Sequence, residues 1–166
     1  WLPILLSNEM QGPRAIRYPR GGESKALAQY GCSGKEYDHL YTAPGAKIVL
    51  VSYADEVEDV LNAAKLLGAE NIPCDVYKLV KIFPFTEELI REIMRYDVVL
   101  MAEDLEMALQ HAGWNGRYIH TAVEQLCLPH ATVPQIKQVT GLDAEHLAQA
   151  VREAVQAPEA KGEAKV

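Results

Sequence analysis

The 166 residues are 49% apolar and 23% charged, enough apolar material for one domain to bury a core without staples, and unlike collagenous, disordered or disulfide-scaffold compositions. Sixteen basic against twenty-three acidic residues leave a net charge of −7. That excludes a broad cationic field for nucleic acid or anionic membrane, while a local arginine cluster could still grip a single anion.

The first segment, Trp1–Leu6, is apolar but contains Pro3 and falls far short of a spanning helix. It also lacks the flanks of a secretory signal, so a cytoplasmic location is expected. The chain opens on Trp rather than Met with no strand pattern behind it, so it is expected to be cut from something longer. Cys32, Cys74 and Cys127 form no C-x-x-C pair and read as ordinary thiols of a reducing compartment.

Gly12 to Gly22 carries Arg14, Arg17 and Arg20. Pro19 biases Tyr18 towards extended backbone, so the three arginines cannot be helical throughout and at most two can converge on one ligand. Arginine's planar fork suits a phosphate or carboxylate, and Gly21 and Gly22 would let backbone approach closely. Salt bridges to neighbouring acids are the competing account. The Gly/Ser-rich residues 23–34 read as a linker. Within it Gly31–Lys35 hints at a phosphate loop, but its glycine spacing is wrong and Glu36 stands where a Ser or Thr would hold magnesium.

From Tyr37 the chain alternates strands and helices. Tyr37–Tyr41 and Lys47–Tyr53 read as a hairpin about Pro44–Gly45, with Ile48–Val51 a strand covered on both faces. Asp55 is the expected cap of a helix whose Val57, Val60, Leu61, Ala64 and Leu67 share one face before Gly68. Cys74–Phe83 reads as a strand stopped by Pro84. Thr86 opens a helix that turns Leu89, Ile90, Ile93 and Met94 inward, and Val98–Ala102 is a short buried strand. A helix over 116–126 and a last one over 143–155, capped by Asp143 and striped by Leu147, Val151 and Ala154, complete the pattern. The order implies a three-layer α/β/α domain, mostly parallel, with Tyr37–Tyr41 as one antiparallel edge strand. Residues 157–166 read as a flexible tail.

No G-x-G-x-x-G follows a strand and no G-x-S-x-G elbow is present, so dinucleotide binding and hydrolase chemistry lack support. Glu103 and Asp104 follow a strand at the end where ligands of open sheets bind, as acid/base candidates or as a helix cap. His39, His111, His120, His130 and His146 show no metal-ligand spacing, and no metal site is expected.

The run IRYPRG (Ile16–Gly21) behind Gly12-Pro13 resembles the 1-deoxy-D-xylulose-5-phosphate synthases of the transketolase superfamily. KIFPFTEELIREI (Lys81–Ile93), Glu103-Asp104, LPHAT (Leu128–Thr132) and GLDAEHLAQAV (Gly141–Val151) follow in that family's order. The resemblance implies a thiamine-diphosphate- and magnesium-dependent condensation of pyruvate with glyceraldehyde 3-phosphate. It makes Arg20 the ligand of the acceptor's phosphate, with Arg17 a second candidate better suited to a structural role. Residues 1–22 become a remnant of the central, pyrimidine-binding domain and 35–156 the carboxyl-terminal domain. Cofactor and catalytic glutamate belong to domains outside this chain, which is then a structural part with no catalytic residue. Its expected partners are the parent enzyme's other domains, in a homodimer. Self-association of the isolated chain through Trp1–Leu6 and an exposed Trp114 is expected. LEMALQHAG (Leu105–Gly113) departs from the family's Gly-rich turn, and the interval before LPHAT is short by about one strand, which puts the last strand in question. A non-catalytic interaction module, or the equivalent domain of a 2-oxoacid dehydrogenase β-subunit or split transketolase, remain alternatives.

Overall fold

The computed structural model describes residues 12, 15–17, 24–31, 33–101, 105–123 and 130–157. Five strands, β1 (Tyr37–Tyr41), β2 (Ile48–Ser52), β3 (Cys74–Leu79), β4 (Val98–Met101) and β5 (Arg117–His120), form one sheet in the order β1-β3-β2-β4-β5. β2, β3, β4 and β5 run parallel, and β1 joins β3 antiparallel at the edge. The helices are α1 (Glu56–Ala69), α2 (Glu87–Ile93), α3 (Leu105–His111), α4 (Val133–Thr140) and α5 (Ala144–Gln156).

Alternation along the strands divides the core in two. Ile48, Leu50, Cys74, Val76 and Leu100 face α1 and α5, whose Val57, Val60, Leu61, Leu67, Leu147 and Val151 cover them. Val49, Val51, Tyr77, Val99 and Met101 face the opposite way, under Leu89 and Ile93 of α2 and Leu105 and Leu109 of α3. Every residue of β2 is buried, which is why Ile48–Val51 reads as an unbroken apolar run. The three-layer fold with its antiparallel edge strand is as the sequence predicts.

Several local expectations are corrected. Pro44 and Gly45 do make a turn, closed by Ala46 N–H donating to the Ala43 carbonyl at 3.1 Å, with Gly45 at φ +77°. The two strands it joins are not paired, however: β1 lies against β3. A type II turn does not match the twist of a two-residue hairpin, so it turns the chain without zipping it. Residues 116–123 open no helix, and residues 124–126 lie outside the described residues. Arg117–His120 pairs with β4 instead, so the sheet keeps its fifth strand. LEMALQHAG holds α3. α4, unforeseen in the sequence, buries none of its residues; Gln135 reaches back to accept from Thr132 N–H at 3.0 Å, and Gly141 ends it at φ +72°. β3 stops at Leu79, short of Phe83.

Trp114 is not exposed. It is 8% accessible, its indole N–H donating to the Tyr96 carbonyl at 2.8 Å. Gly116 lies so close beneath it that a Cβ would fall 2.3 Å from the indole and 2.5 Å from the Asp97 carbonyl. Asp55 makes no side-chain cap, whereas Thr86 and Asp143 do, accepting from Leu89 N–H and from Glu145 and His146 N–H. The segment expected as a linker is partly built into the fold. Ala28–Tyr30 forms a 3-10 turn, and Leu27 and Tyr30 pack on the α1-side core.

Candidate functional site

The strand order reverses at β2. From β2 the chain crosses to β3 on one side and then returns to β4 on the other, and α1 and α2 sit on opposite faces of the sheet. The carboxyl ends of β2 and β4 therefore flank the crevice where open α/β sheets bind ligands. Ser52 closes β2 there. Tyr53 follows, then Ala54 in the left-handed region at φ +54°, a conformation that costs a non-glycine residue about 1–2 kcal/mol. This sharp exit delivers Glu56 as the first residue of α1.

The crevice is nearly filled. Ser52, Glu56, Thr121, Leu142 and Leu147 are among the residues around a cavity of about 10 Å³, room for at most one water molecule. Ser52 Oγ donates to Glu56 Oε2 at 3.5 Å. Burial holds the Glu56 carboxyl above its usual range, with the Lys137 charge acting in opposition. Lys137, on α4, reaches Asp59 at 2.6 Å and both the carboxylate and the carbonyl of Asp55, at 3.2 and 3.3 Å. Burial alone would depress Lys137, but its two carboxylate partners outweigh that and raise it; burial raises Asp59 despite Lys137. These contacts fasten a helix that has no buried side chain of its own. Outside Leu142 lies an open cleft of about 340 Å³ lined by His120, Thr121, Ala122, Val139, Thr140 and Gly141.

Arg17 is brought to the same end of the sheet. Its Nη1 donates to Tyr53 Oη at 2.6 Å, and the guanidinium carbon stands 5.4 Å from the ring centroid. The Tyr53 ring itself packs on the α2-side core. Arg14, Arg20, Gly21, Gly22, Cys32, Glu103, Asp104 and Cys127, as well as Trp1–Leu6, lie outside the described residues.

The phosphate-loop hint dissolves. Ser33 donates through its backbone N–H and its hydroxyl to Asp38, and Lys35 N–H turns to Ser33 Oγ, so these donors serve the protein itself. Cys74 is buried, its thiol pushed up to about 12 by burial and then by Asp75. His146 pairs with its own helix cap, Asp143, at 2.6 Å, while His39 stacks on Tyr77 with centroids 4.2 Å apart. Among the described residues no group of three His, Cys, Asp or Glu side chains could hold a metal ion. With no such group, the described residues offer no ligand set for the magnesium that accompanies thiamine diphosphate.

One cluster escaped sequence reasoning. Asp75, 6% accessible, accepts from Ala43 N–H at 2.8 Å and from Tyr96 Oη at 2.5 Å, with His39 Nε2 at 3.3 Å. Burial, and then the hydrogen bonds with Asp75 and Tyr77, push the Tyr96 hydroxyl well above its ordinary value. A lone acid inside the strand run CDVYKL was the available signal. The cluster sits at the amino end of β3, away from the crevice, and braces the fold.

The family described as Transketolase, C-terminal domain, matches residues 39–147. Curated relatives named 1-deoxy-D-xylulose-5-phosphate synthase include that of Thermotoga maritima, 26% identical across 92% of this chain and 26% of its own. That of Thermotoga petrophila is 25% identical across 97% of this chain and 27% of its own. The chain spans about a quarter of the length of the curated relatives it matches. Among solved structures, a split-gene transketolase described as an inactive beta4 tetramer superposes with a TM-score of 0.63 at 22% identity, over 72% of this chain and 42% of that one. The transketolase of Campylobacter jejuni does so at 0.56 and 13%, over 75% of this chain and 19% of its own.

Proposed function

The chain belongs to the transketolase C-terminal domain family, and on that premise we propose that it is the carboxyl-terminal part of a synthase that condenses pyruvate with glyceraldehyde 3-phosphate to 1-deoxy-D-xylulose 5-phosphate. The observation that carries this is the span of the likeness. The family match covers 39–147, but the match to the Thermotoga petrophila synthase takes in 97% of the chain, too much to leave out the arginine arm.

In this reading residues 1–22 end the central domain, 23–34 connect, 35–156 form the carboxyl-terminal domain and 157–166 trail from it. Arg20 grips the phosphate of the acceptor through its guanidinium fork. The domain behind it buttresses the parent's other domains in a cytoplasmic homodimer. Thiamine diphosphate and magnesium are held by those other domains and supply the chemistry on pyruvate; no step of it is assigned to the residues of this chain.

Two measurements test the proposal. In the parent enzyme Arg20→Ala raises the KM for glyceraldehyde 3-phosphate at least tenfold, as expected when a charged phosphate contact is lost, and leaves that for pyruvate within about twofold. An unchanged acceptor KM refutes the phosphate role. The isolated chain, mixed with cofactor, magnesium and both substrates, gives no product; turnover refutes the structural role.

A further inference from the structure

We infer that Phe83 and the loop that carries it, at the carboxyl end of β3, are a docking surface for the domain that precedes this one in the parent chain. The inference rests on the carboxyl-terminal reading proposed above and adds where that neighbour is received.

Phe83 is 80% accessible, more than any other large apolar side chain among the described residues. A single exposed apolar residue is ordinary, but this one is an aromatic held in place. Its ring stands edge-on to Phe85, with centroids 6.3 Å apart, and Phe85 packs on the α2-side core. The loop is fastened on both sides. Before it, Val80 and Lys81 N–H donate to the Glu36 carbonyl at 2.9 Å, and the Lys81 ammonium reaches the Glu36 carboxylate at 2.8 Å. After it, Thr86 caps α2. A ring presented on a fixed loop loses little freedom when it is covered, which suits it to anchor an interface.

Register sets this ring beside the incoming chain. β2 and β3 are parallel with Ser52 opposite Lys78, so Tyr53 and the loop after Leu79 leave neighbouring strands at the same end. Arg17 meets Tyr53 there at 2.6 Å, and Ile16 beside it is 42% accessible. In the carboxyl-terminal reading, the chain running back from Ile16 leads into the preceding domain. About three-quarters of the length of the curated relatives lies outside the match, so in that reading a large body is tethered at the end where Phe83 projects. A second copy is the less suited occupant. A two-fold contact centred on Phe83 would set the acidic first turn of α2, with Glu87 and Glu88, against its own counterpart.

The test uses the parent enzyme with Phe83→Cys, labelled by a maleimide and read at position 83 by mass spectrometry, both native and unfolded in urea. The native thiol should label at least about tenfold more slowly than the unfolded one, because a docked surface excludes the reagent. Equal rates overturn the docking. A second form carries the photo-crosslinker benzoylphenylalanine in place of Phe83, which keeps an aromatic ring there. Irradiation should join position 83 to the preceding domain of the same chain, leaving the mass on a denaturing gel that of one subunit. A crosslink to residues 35–156 of a second copy, which doubles that mass, or none to the preceding domain, overturns the inference. Product formation by the unsubstituted parent keeps the two readings apart. A parent that makes 1-deoxy-D-xylulose 5-phosphate while position 83 stays uncovered loses only the docking surface. A parent that makes none refutes the synthase, and the crosslink still decides the docking.

Discussion

Replacing Asp75 by Ala removes the acceptor at the centre of the brace below β3. The Ala43 N–H loses its partner at 2.8 Å, and the Tyr96 hydroxyl loses its 2.5 Å bond to Asp75 but keeps Tyr77; His39, one-third exposed, turns to solvent at little cost. A buried donor left unsatisfied costs about 1–3 kcal/mol and a lost bond to a second partner about 1 kcal/mol, so the change predicts a loss of about 2–4 kcal/mol, centred near 3. In a domain of this size that lowers Tm by about 6–12 °C. Urea unfolding followed by circular dichroism measures it, and Tyr96→Phe supplies the control. Alone, that substitution costs about 1–2 kcal/mol because Asp75 loses one of its donors. In the Asp75→Ala background that bond is already gone, so the substitution costs less than in the wild type. A loss below about 1 kcal/mol for Asp75→Ala, or the same cost for Tyr96→Phe in both backgrounds, refutes the account of the cluster as a mutually satisfied brace.

Gly116→Ala drives a methyl into the Trp114 indole and the Asp97 carbonyl and should cost about 2–3 kcal/mol, visible in urea titrations read by Trp114 fluorescence; neutrality would show that the loop yields. Lys137→Met strands the carboxylates of Asp55 and Asp59 and should cost about 1–3 kcal/mol at neutral pH, reduced from a fully buried pair because both acids keep some solvent. Because Lys137's pKa is raised above 10.5 in the folded state, its contribution is complete below that value and is lost as pH climbs through the raised one. The stability gap between wild type and variant must therefore close in alkali, and a constant gap contradicts the ion-pair origin. With its pKa near 12, the Cys74 thiol should resist alkylation at pH 8 until the protein unfolds; rapid native-state labelling of Cys74, located by mass spectrometry, would contradict its burial.

Elements whose cause is local were legible. α1 and α5 declare themselves by an apolar stripe, α2 by Thr86, and β2 by a β-branched run, and each lies where the pattern puts it. β5 was misread because RYIH is four residues long with none of them buried, too short for alternation to show. α4 buries nothing, so it has no stripe to read; Thr132, Pro134 and Gln135 were its only signals. The pairing of β1 depends on a strand that begins more than thirty residues later, and a Pro-Gly turn names the bend without naming the partner. At the candidate site, Arg17 could be singled out from its motif as a candidate. Its contact with Tyr53 could not, since nothing in either neighbourhood specifies a meeting across 36 residues. The Asp75 brace is illegible for the same reason.

The edge position of β1 bears on how the molecule resists clumping. Without that first strand, β3 would become an outer rail of unpaired amides and carbonyls onto which another molecule could zip. With it, the rail is closed by a segment that carries the buried carboxylate of Asp38 and the exposed His39, and whose following turn is tied down by Asp75. A version shortened past Tyr41 would keep its four parallel strands and leave the β3 edge open to another copy.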